Sequence, residues 1–422
     1  MNIVFMASGY YPNYSAVGKC VGNVVEYFPG DNNIFVIALK NNKNDLAYEE
    51  YKNHKIIRVD TLDNNIRNIL KERIINSHGL KRKIYTLSHN IYRSLKALSF
   101  VLSKVSVDKS LVNAFERALV ELNSRIDVII PSSMPIETII SAVNYKSGTN
   151  NQVTVIPYLF DQFAESKTLH RLEFNRKIKM RKHIELERKL LHYSDHIFAM
   201  HSLEDHINNY IPEIKKISYV EHPLIIKAET RKILENDELK ISYIGGLYKK
   251  YVSPDYLLKL FSEIDIKEAK LNFYVIGNNI KNVNRYCKII PNKIINHGRV
   301  DKRTANEQIE NSNILISIAE KSGIQMSSKI FEYMSYGKPI IHFYKNDKDV
   351  NKKILREYPL SLCIKEDEVL FNENLNKFKE FCMNNKYKRI DFDDVKKIYP
   401  DAVPTFTANQ INSKIMSFKN TV

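Results

Sequence analysis

Cysteine is scarce in this chain: four residues in 422, Cys20, Cys287, Cys363 and Cys382, far apart and with no CxxC among them. Zinc sites and disulfide frameworks bring their cysteines in close, repeated spacings, so neither is expected, and a reducing cytoplasmic setting fits. There is no run of 18 or more apolar residues, so no membrane-spanning helix is expected. The N-terminus, MNIVFMASGYYP, lacks a charged leader and a long apolar core. It reads as a first β-strand rather than a secretory signal. That strand is not followed by GxGxxG, which argues against a nicotinamide-dependent dehydrogenase. No repeat of solenoid length and no nucleic-acid recognition motif is present, and no acidic pair suggests a metal site.

What is present is a globular composition. Hydrophobic residues make up 44% of the chain and charged residues 27%, which suffices for proper cores and argues against disorder. At roughly 100–200 residues per domain, the length predicts two or three domains. The formal net charge of +16 admits three partners: nucleic acid, an anionic membrane surface or phosphorylated substrates. It equally fits a chain whose surplus Lys is simply solvated.

Short apolar runs alternate with helical patterns. In the first half, strands are predicted at 2–7 (NIVFMA), 33–39 (NIFVIAL), 55–59 (KIIRV), 127–130 (DVII), 152–158 (QVTVIPY) and 195–200 (DHIFAM), with a charged helix over 173–192. A second series follows at 239–244, 271–276, 294–297, 313–318 and 339–343. Such alternation predicts parallel sheets with helices on both faces, an α/β fold of two Rossmann-like domains. A proline and a charged stretch place the boundary within 222–236. The expected division is 1–222, 223–400 and a C-terminal helix over 401–422 that returns to the first domain.

Residues 62–126 form a long helical insertion with recurring cations: Arg67, Lys71, Arg73, Lys81, Arg82, Lys83, Arg93, Lys96 and Lys104. Apolar residues interleave at three- and four-residue spacing. A basic amphipathic helix lies on an anionic bilayer, or packs on its own sheet with a solvated Lys/Arg face. The spacing admits both.

In open α/β sheets, ligands sit beyond the carboxyl ends of the strands. Here Gly245-Gly246 end one predicted strand with Lys249 and Lys250 just beyond, Gly277 ends the next, and Gly298-Arg299 a third. The last predicted loop leads through Glu320 into SGIQMSSKIFEYMSYGKP. A helix starting near Ser327 or Ser328 puts Ile330, Phe331 and Met334 toward the sheet, and Ser328, Glu332 and Ser335 on another face. Its free N–H groups suit a diphosphate, and Glu332, leaning back toward them, suits the hydroxyls of a ribose. Serine caps and early Glu residues also occur merely to offset the helix dipole. The glycine-ended strands and the paired Lys favour a site.

These stretches carry a resemblance. YIGGLYKK (243–250), FYVIG (273–277), IINHGRVDK (294–302), NSNILISI (311–318) and SSKIFEYMSYGKPII (327–341) resemble the donor-binding domain of retaining, nucleotide-sugar-dependent glycosyltransferases of the family-four type. The first half resembles their acceptor domain more weakly, through ASGYYPNYSAVGK (7–19), DVIIPSS (127–133) and SDHIFAMHS (194–202). The resemblance implies the GT-B fold, two Rossmann-like domains facing each other across a cleft. It implies that Ser327, Ser328 and the helix start hold the pyrophosphate, Lys249 or Lys250 neutralises it, Glu332 holds the ribose, and Arg299 and Val300 frame the base; Lys329 beside the helix start adds positive charge to the donor site. Gly246 and Gly277 border the donor, and Gly18 lets the first domain approach the diphosphate. Catalytic candidates are Asp161, Glu320 and Lys250. Asp161 either orients the acceptor hydroxyl or caps a helix, with Glu165 one turn later. No metal or other cofactor is implied.

The pattern departs from the family at Ile324, where many members carry a second Glu; Glu320 lies four residues earlier, and Lys329–Glu332 resembles a branch with Lys three residues before the Glu. The expected activity is transfer of a UDP- or GDP-linked sugar, with retention, to a hydroxyl of a glycan or lipid-linked acceptor in cell-surface polysaccharide synthesis. It would take place in the cytoplasm or on the inner face of the cell membrane, without nucleic acid. A sugar-nucleotide epimerase and an inactive scaffold of the same fold are the alternatives.

Overall fold

The apolar runs become parallel strands, and the computed structural model of the protein describes residues 1–122, 124–150, 152–166, 173–228, 238–249, 251–321 and 326–419. Two units emerge: Met1–Pro223 with Pro404–Val422, and Leu224–Val403.

In the first unit, β1 (Asn2–Gly9) leads into α1 (Ala16–Glu26), β2 (Asn33–Leu39), and a hairpin of β3 (Tyr48–Tyr51) and β4 (His54–Val59). Then come α2 (Leu62–Ile75), α3 (Gly79–Leu102), α4 (Lys109–Val120), β5 (Val128–Pro131), α5 (Glu137–Gly148), β6 (Thr154–Val155) and β7 (Tyr158–Leu159). After α6 (Glu173–Tyr193) follow β8 (Ile197–Met200), α7 (Glu204–Tyr210) and β9 (Ile217–Val220). The helix Pro404–Lys419 packs on α1. Strands β4-β2-β1-β5-β6 form a parallel sheet with β3 antiparallel at its edge, and β7-β8-β9 form a second parallel sheet. The predicted strand 152–158 is therefore two. Pro157 has no N–H to give a ladder, and the chain changes sheets there.

In the second unit the order is β10 (Leu239–Leu247), α8 (Asp255–Glu263), β11 (Ala269–Gly277), α9 (Lys281–Ile289), β12 (Ile294–Asn296), α10 (Lys302–Asn311), β13 (Ile314–Ile318), α11 (Ser328–Ser335), β14 (Ile340–Tyr344), α12 (Val350–Leu355), β15 (Ser361–Lys365), α13 (Phe371–Asn385) and α14 (Phe392–Ile398). The six strands pair in parallel as β12-β11-β10-β13-β14-β15. That is the nucleotide-binding order, the chain winding outward both ways from the middle. Both faces of the sheet are covered. Leu257, Phe261 and Phe378 pack with Phe273 and Phe343 on one side, and Ile330, Phe331, Met334 and Val395 pack with Ile244 and Leu315 on the other.

The sheet draws β10 and β11 together at their ends. Gly245 and Gly246 lie inside β10, which runs to Leu247, rather than terminating it. Gly277 closes β11 with φ +129°, and a Cβ there would stand 2.0 Å from the Leu247 carbonyl oxygen. That carbonyl accepts the Asn279 N–H at 3.0 Å. Gly277→Ala meets both a disallowed backbone angle and a backbone clash, so it should cost at least about 2 kcal/mol. The check is urea unfolding: the midpoint falls while the slope stays constant.

Candidate functional site

The carboxyl edge of the second sheet gathers most of the expected donor residues. Beyond β10, the Lys249 N–H donates to Asn278 Oδ1 at 3.0 Å. The Lys249 carbonyl accepts from Lys321 Nζ at 3.1 Å, and the Lys321 N–H donates to the Tyr251 carbonyl at 2.9 Å. The loops after β10, β11 and β13 are thus tied to one another, which brings Lys249, Gly277 and the neighbourhood of Glu320 together. Arg299, exposed, and Val300 follow β12 at the sheet's edge, where the Gly298 carbonyl accepts the Val275 N–H at 2.8 Å. Lys250 and Ile324 lie outside the described residues.

Ser327 is the N-cap residue of α11, in extended conformation, yet its hydroxyl makes no capping bond. Its N–H instead donates to Asn351 Oδ1 at 2.7 Å. Inside the helix, Ile330, Phe331, Tyr333 and Met334 are buried, which leaves Ser328, Lys329 and Glu332 half-exposed. Glu332 Oε2 receives Lys329 Nζ at 2.5 Å. The Lys329 charge therefore orients the Glu332 carboxylate rather than standing by itself. Ser335 does not share the open face. It is buried, with Oγ donating to the Phe331 carbonyl at 3.0 Å and accepting the Ile226 N–H at 3.1 Å.

Behind this helix start runs a buried polar chain that the sequence reading missed. His342 Nδ1 is 3.0 Å from Ser317 Oγ, and its Nε2 is 3.0 Å from Asp349 Oδ1. Asp349 Oδ1 also accepts the Lys352 N–H at 3.0 Å and so caps α12. That cap places Asn351 against Ser327. His342, Asp349 and Asn351 are fully buried. The readable signal was a histidine in the apolar strand PIIHF, since a strand buried on both faces carries a polar residue only where a partner waits.

In the first unit, the Gly18 N–H donates to Ser15 Oγ at 3.0 Å, and a Cβ at Gly18 would stand 1.7 Å from the Gly9 carbonyl oxygen. Glycine is required here by the close packing of α1 on the end of β1. Asp161 follows β7, with its N–H and that of Phe160 directed at Ser133 Oγ at 3.4 and 2.9 Å. Its outer face meets solvent while protein surrounds the rest, and this desolvation raises its carboxyl above the usual value, opposed by His222. Burial also pushes the Cys20 thiol up, and it feels Glu221, Lys19 and Asp161 in turn. Glu221 Oε1 sits 2.7 Å from His222 Nδ1. Neither residue was singled out in the sequence, because EHP reads there as a domain boundary. Glu165 belongs to a different group, in which its Oε2 is 3.1 Å from His206 Nδ1, and Glu187 Oε2 is 3.3 Å from Nε2.

Residues 238–357 match the family model described as glycosyl transferases group 1. No curated protein matches the chain in sequence. Among solved structures, sucrose-phosphate synthase from Thermosynechococcus elongatus superposes with a TM-score of 0.62 at 9% identity, over 100% of both chains. The α,α-trehalose-phosphate synthase from Burkholderia vietnamiensis gives 0.60 at 9%, over 99% of this chain and 100% of that one. The lipopolysaccharide outer core galactosyltransferase WaaB gives 0.56 at 15%, over 99% of each. The fold is GT-B, and the match to the group 1 glycosyl transferase model lies within its second unit.

Within that GT-B frame, Ser327, Ser328, Lys329 and Glu332 share one helix start, and Lys249, Gly246, Gly277 and Glu320 border the same sheet edge. Arg299 and Val300 stand at the end of β12 on that edge. Asp161 and Gly18 belong to the first unit, together with Glu221 and His222. The Glu165–His206–Glu187 group yields a pH prediction. Burial lowers the His206 imidazole, but the two carboxylates outweigh it, and the net shift is upward from 6.5. The folded state then binds the proton more tightly than the unfolded one. The stabilisation is complete below about pH 6.5 and is lost as the pH rises through the raised value. In His206→Gln the urea midpoint should lose this fall between neutral and mildly alkaline pH, which parallel titrations of both proteins will show.

Proposed function

We propose that the protein transfers a sugar from a UDP- or GDP-linked donor to a hydroxyl of a glycan or lipid-linked acceptor. The transfer proceeds with retention at the anomeric carbon, at the inner face of the cell membrane, in building a surface polysaccharide. The carrying observation is the start of α11, where backbone amides and a carboxylate converge at the carboxyl edge of a nucleotide-binding sheet.

The reaction breaks the bond from the anomeric carbon to the diphosphate oxygen and forms one to the acceptor oxygen, whose proton passes to the departing diphosphate. Charge grows on the departing diphosphate. The amides of Ser328 and Lys329, the positive end of α11 and the Lys249–Lys250 pair oppose that charge. Glu332, held by Lys329, accepts hydrogen bonds from the ribose hydroxyls. Arg299 and Val300 frame the base. Asp161 orients the acceptor hydroxyl, and Glu320 faces the sugar in place of the carboxylate absent at Ile324. The match of residues 238–357 to the group 1 model supports this assignment of the second unit.

The test is a thermal-shift and transfer assay across UDP- and GDP-sugars. One donor class should raise the melting temperature. In Glu332→Ala the loss of hydrogen bonds to a charged group should weaken donor binding about 10- to 100-fold. The unliganded melting temperature should stay near its original value, because the side chain is half-exposed. Full transfer activity in Glu332→Ala would overturn the ribose assignment.

A further inference from the structure

The helix α3 turns its apolar face outward. Leu80, Ile84, Leu87, Ile91, Leu95, Leu98 and Leu102 are each more than half exposed, and no residue of α2 or α3 is fully buried. Leu80 to Ile91 and Ile91 to Leu102 are two successive eleven-residue steps. A period of about 3.67 residues nearly matches the helix's own 3.6, so the stripe runs almost straight. Over 24 residues it is about 36 Å long. An exposed continuous stripe of this size marks an interaction face.

The opposite face is the one that holds the protein. Tyr92 Oη donates to Asp63 Oδ1 at 2.5 Å, and Lys96 Nζ to Asp108 Oδ2 at 2.6 Å. Arg73 lies 5.5 Å from the centre of the Tyr85 ring. The Phe100 carbonyl receives Lys179 Nζ. Of the two arrangements that the spacing admits, apolar residues packed inward under a solvated Lys/Arg face is therefore not the one α3 adopts.

Charge selects the occupant. The sequence of α3 contains no Asp or Glu and carries Lys81, Arg82, Lys83, Arg93 and Lys96. On the helical wheel Lys81 and Lys83 fall on either side of the stripe, where their heads reach past the apolar residues. Cations also crowd the seam with α2: burial, then Arg93, Lys71 and Arg67, lower His89, and burial, then Arg67 and Arg93, lower Lys71. A second copy laid on the stripe would bring its own Lys81 and Lys83 to that contact, with no carboxylate from α3 to meet them. Among the described residues no helix is long and apolar enough to cross a membrane, and the hydrogen-bonded inner face of α3 fits a helix that lies on one.

We propose that α3 lies in the plane of an anionic lipid bilayer, with Leu80 to Leu102 sunk at the acyl boundary and Lys81 and Lys83 among the headgroup phosphates. This rests on the reading of the protein as one that works at a membrane face, and it is independent of the donor chemistry. Docking there sets a lipid-linked acceptor and the first unit on one surface.

The experiment is flotation of the full chain with phosphatidylglycerol-containing and pure phosphatidylcholine vesicles, at low and high salt. The wild type should float with the anionic vesicles. Leu87→Glu with Ile91→Glu should lower the bound fraction about ten-fold or more at either salt. Both positions are exposed, so the fold and the donor-induced thermal shift should persist. Lys81→Ala with Lys83→Ala should weaken binding at low salt only, since salt screens charge and not burial. Binding to anionic vesicles that the Glu variant retains would overturn the insertion of α3 and leave the membrane reading standing. No binding to any vesicle would overturn both, with the donor shift unaffected. A dimer in sedimentation that the Glu variant dissociates, without vesicle capture, would assign the stripe to a second copy and overturn the proposal.

Discussion

A parallel sheet discharges its strands at one edge, and the second unit depends on that constraint. With β10 and β13 adjacent and the chain winding outward from them, their following loops leave the sheet on opposite faces and open a crevice between them. The pinch of Gly277 against Leu247, and the bonds from Lys321 to Lys249 and Tyr251, fix the loops that border this crevice. The site is assembled from residues distant in sequence because the sheet brings strand ends together, not because any one segment is specialised.

A helix start binds an anion well only if it is held still. Serine at the cap position suggested that α11 holds itself, through its own hydroxyl. The structure assigns the task to the next helix instead, through Asn351, Asp349, His342 and Ser317. A buried chain of polar groups has few alternative arrangements that satisfy it, and so it specifies one geometry. The far end of the segment is held in the same manner. Lys338 is buried and donates to the Glu310 and Ser312 carbonyls at 2.6 and 2.5 Å, which serves the end of α10. Burial, and after it the positive charge of Arg389, pull that ammonium down to about 7 against the opposing Glu310. Both ends of Ser327–Pro339 are thus tied into the body of the sheet.

The strands buried on both faces were legible, because continuous apolar runs ended by glycine leave little else to read. Three strands were not. β3 (YEEY) has charged residues and stands at an edge, while β9 (ISYV) and β15 (SLCIK) are short edge strands whose residues stay mostly half-exposed. Their pairing is decided by the neighbouring strand and leaves only a weak mark in the chain itself. The helix α11 was legible, with Ile330, Phe331 and Met334 inward, although Tyr333 and Ser335 are buried as well. The chain from Ser317 to Asn351 was not, since its members lie on three elements and meet only in the folded sheet. Glu221 and His222 were hidden for another reason: a proline beside them looked like punctuation between domains.

Periodicity announces that a helix has two faces but not which one the protein keeps. For α3 the answer lies in what it meets. The body of the first unit offers polar partners: α6 buries Asn175, Lys179, His183 and Glu187, with Lys179 on the Phe100 carbonyl and His183 Nε2 accepting the Ser106 N–H at 3.0 Å. A docking surface made of hydrogen-bonding groups has no use for a leucine stripe. It takes the tyrosine and lysine face and leaves the stripe outside. An apolar stripe alone would suit any hydrophobic partner, and positive charge alone would suit any polyanion. Both together on one helix without a carboxylate are met by few surfaces, and a bilayer with anionic headgroups over acyl chains supplies the two in the right order of depth.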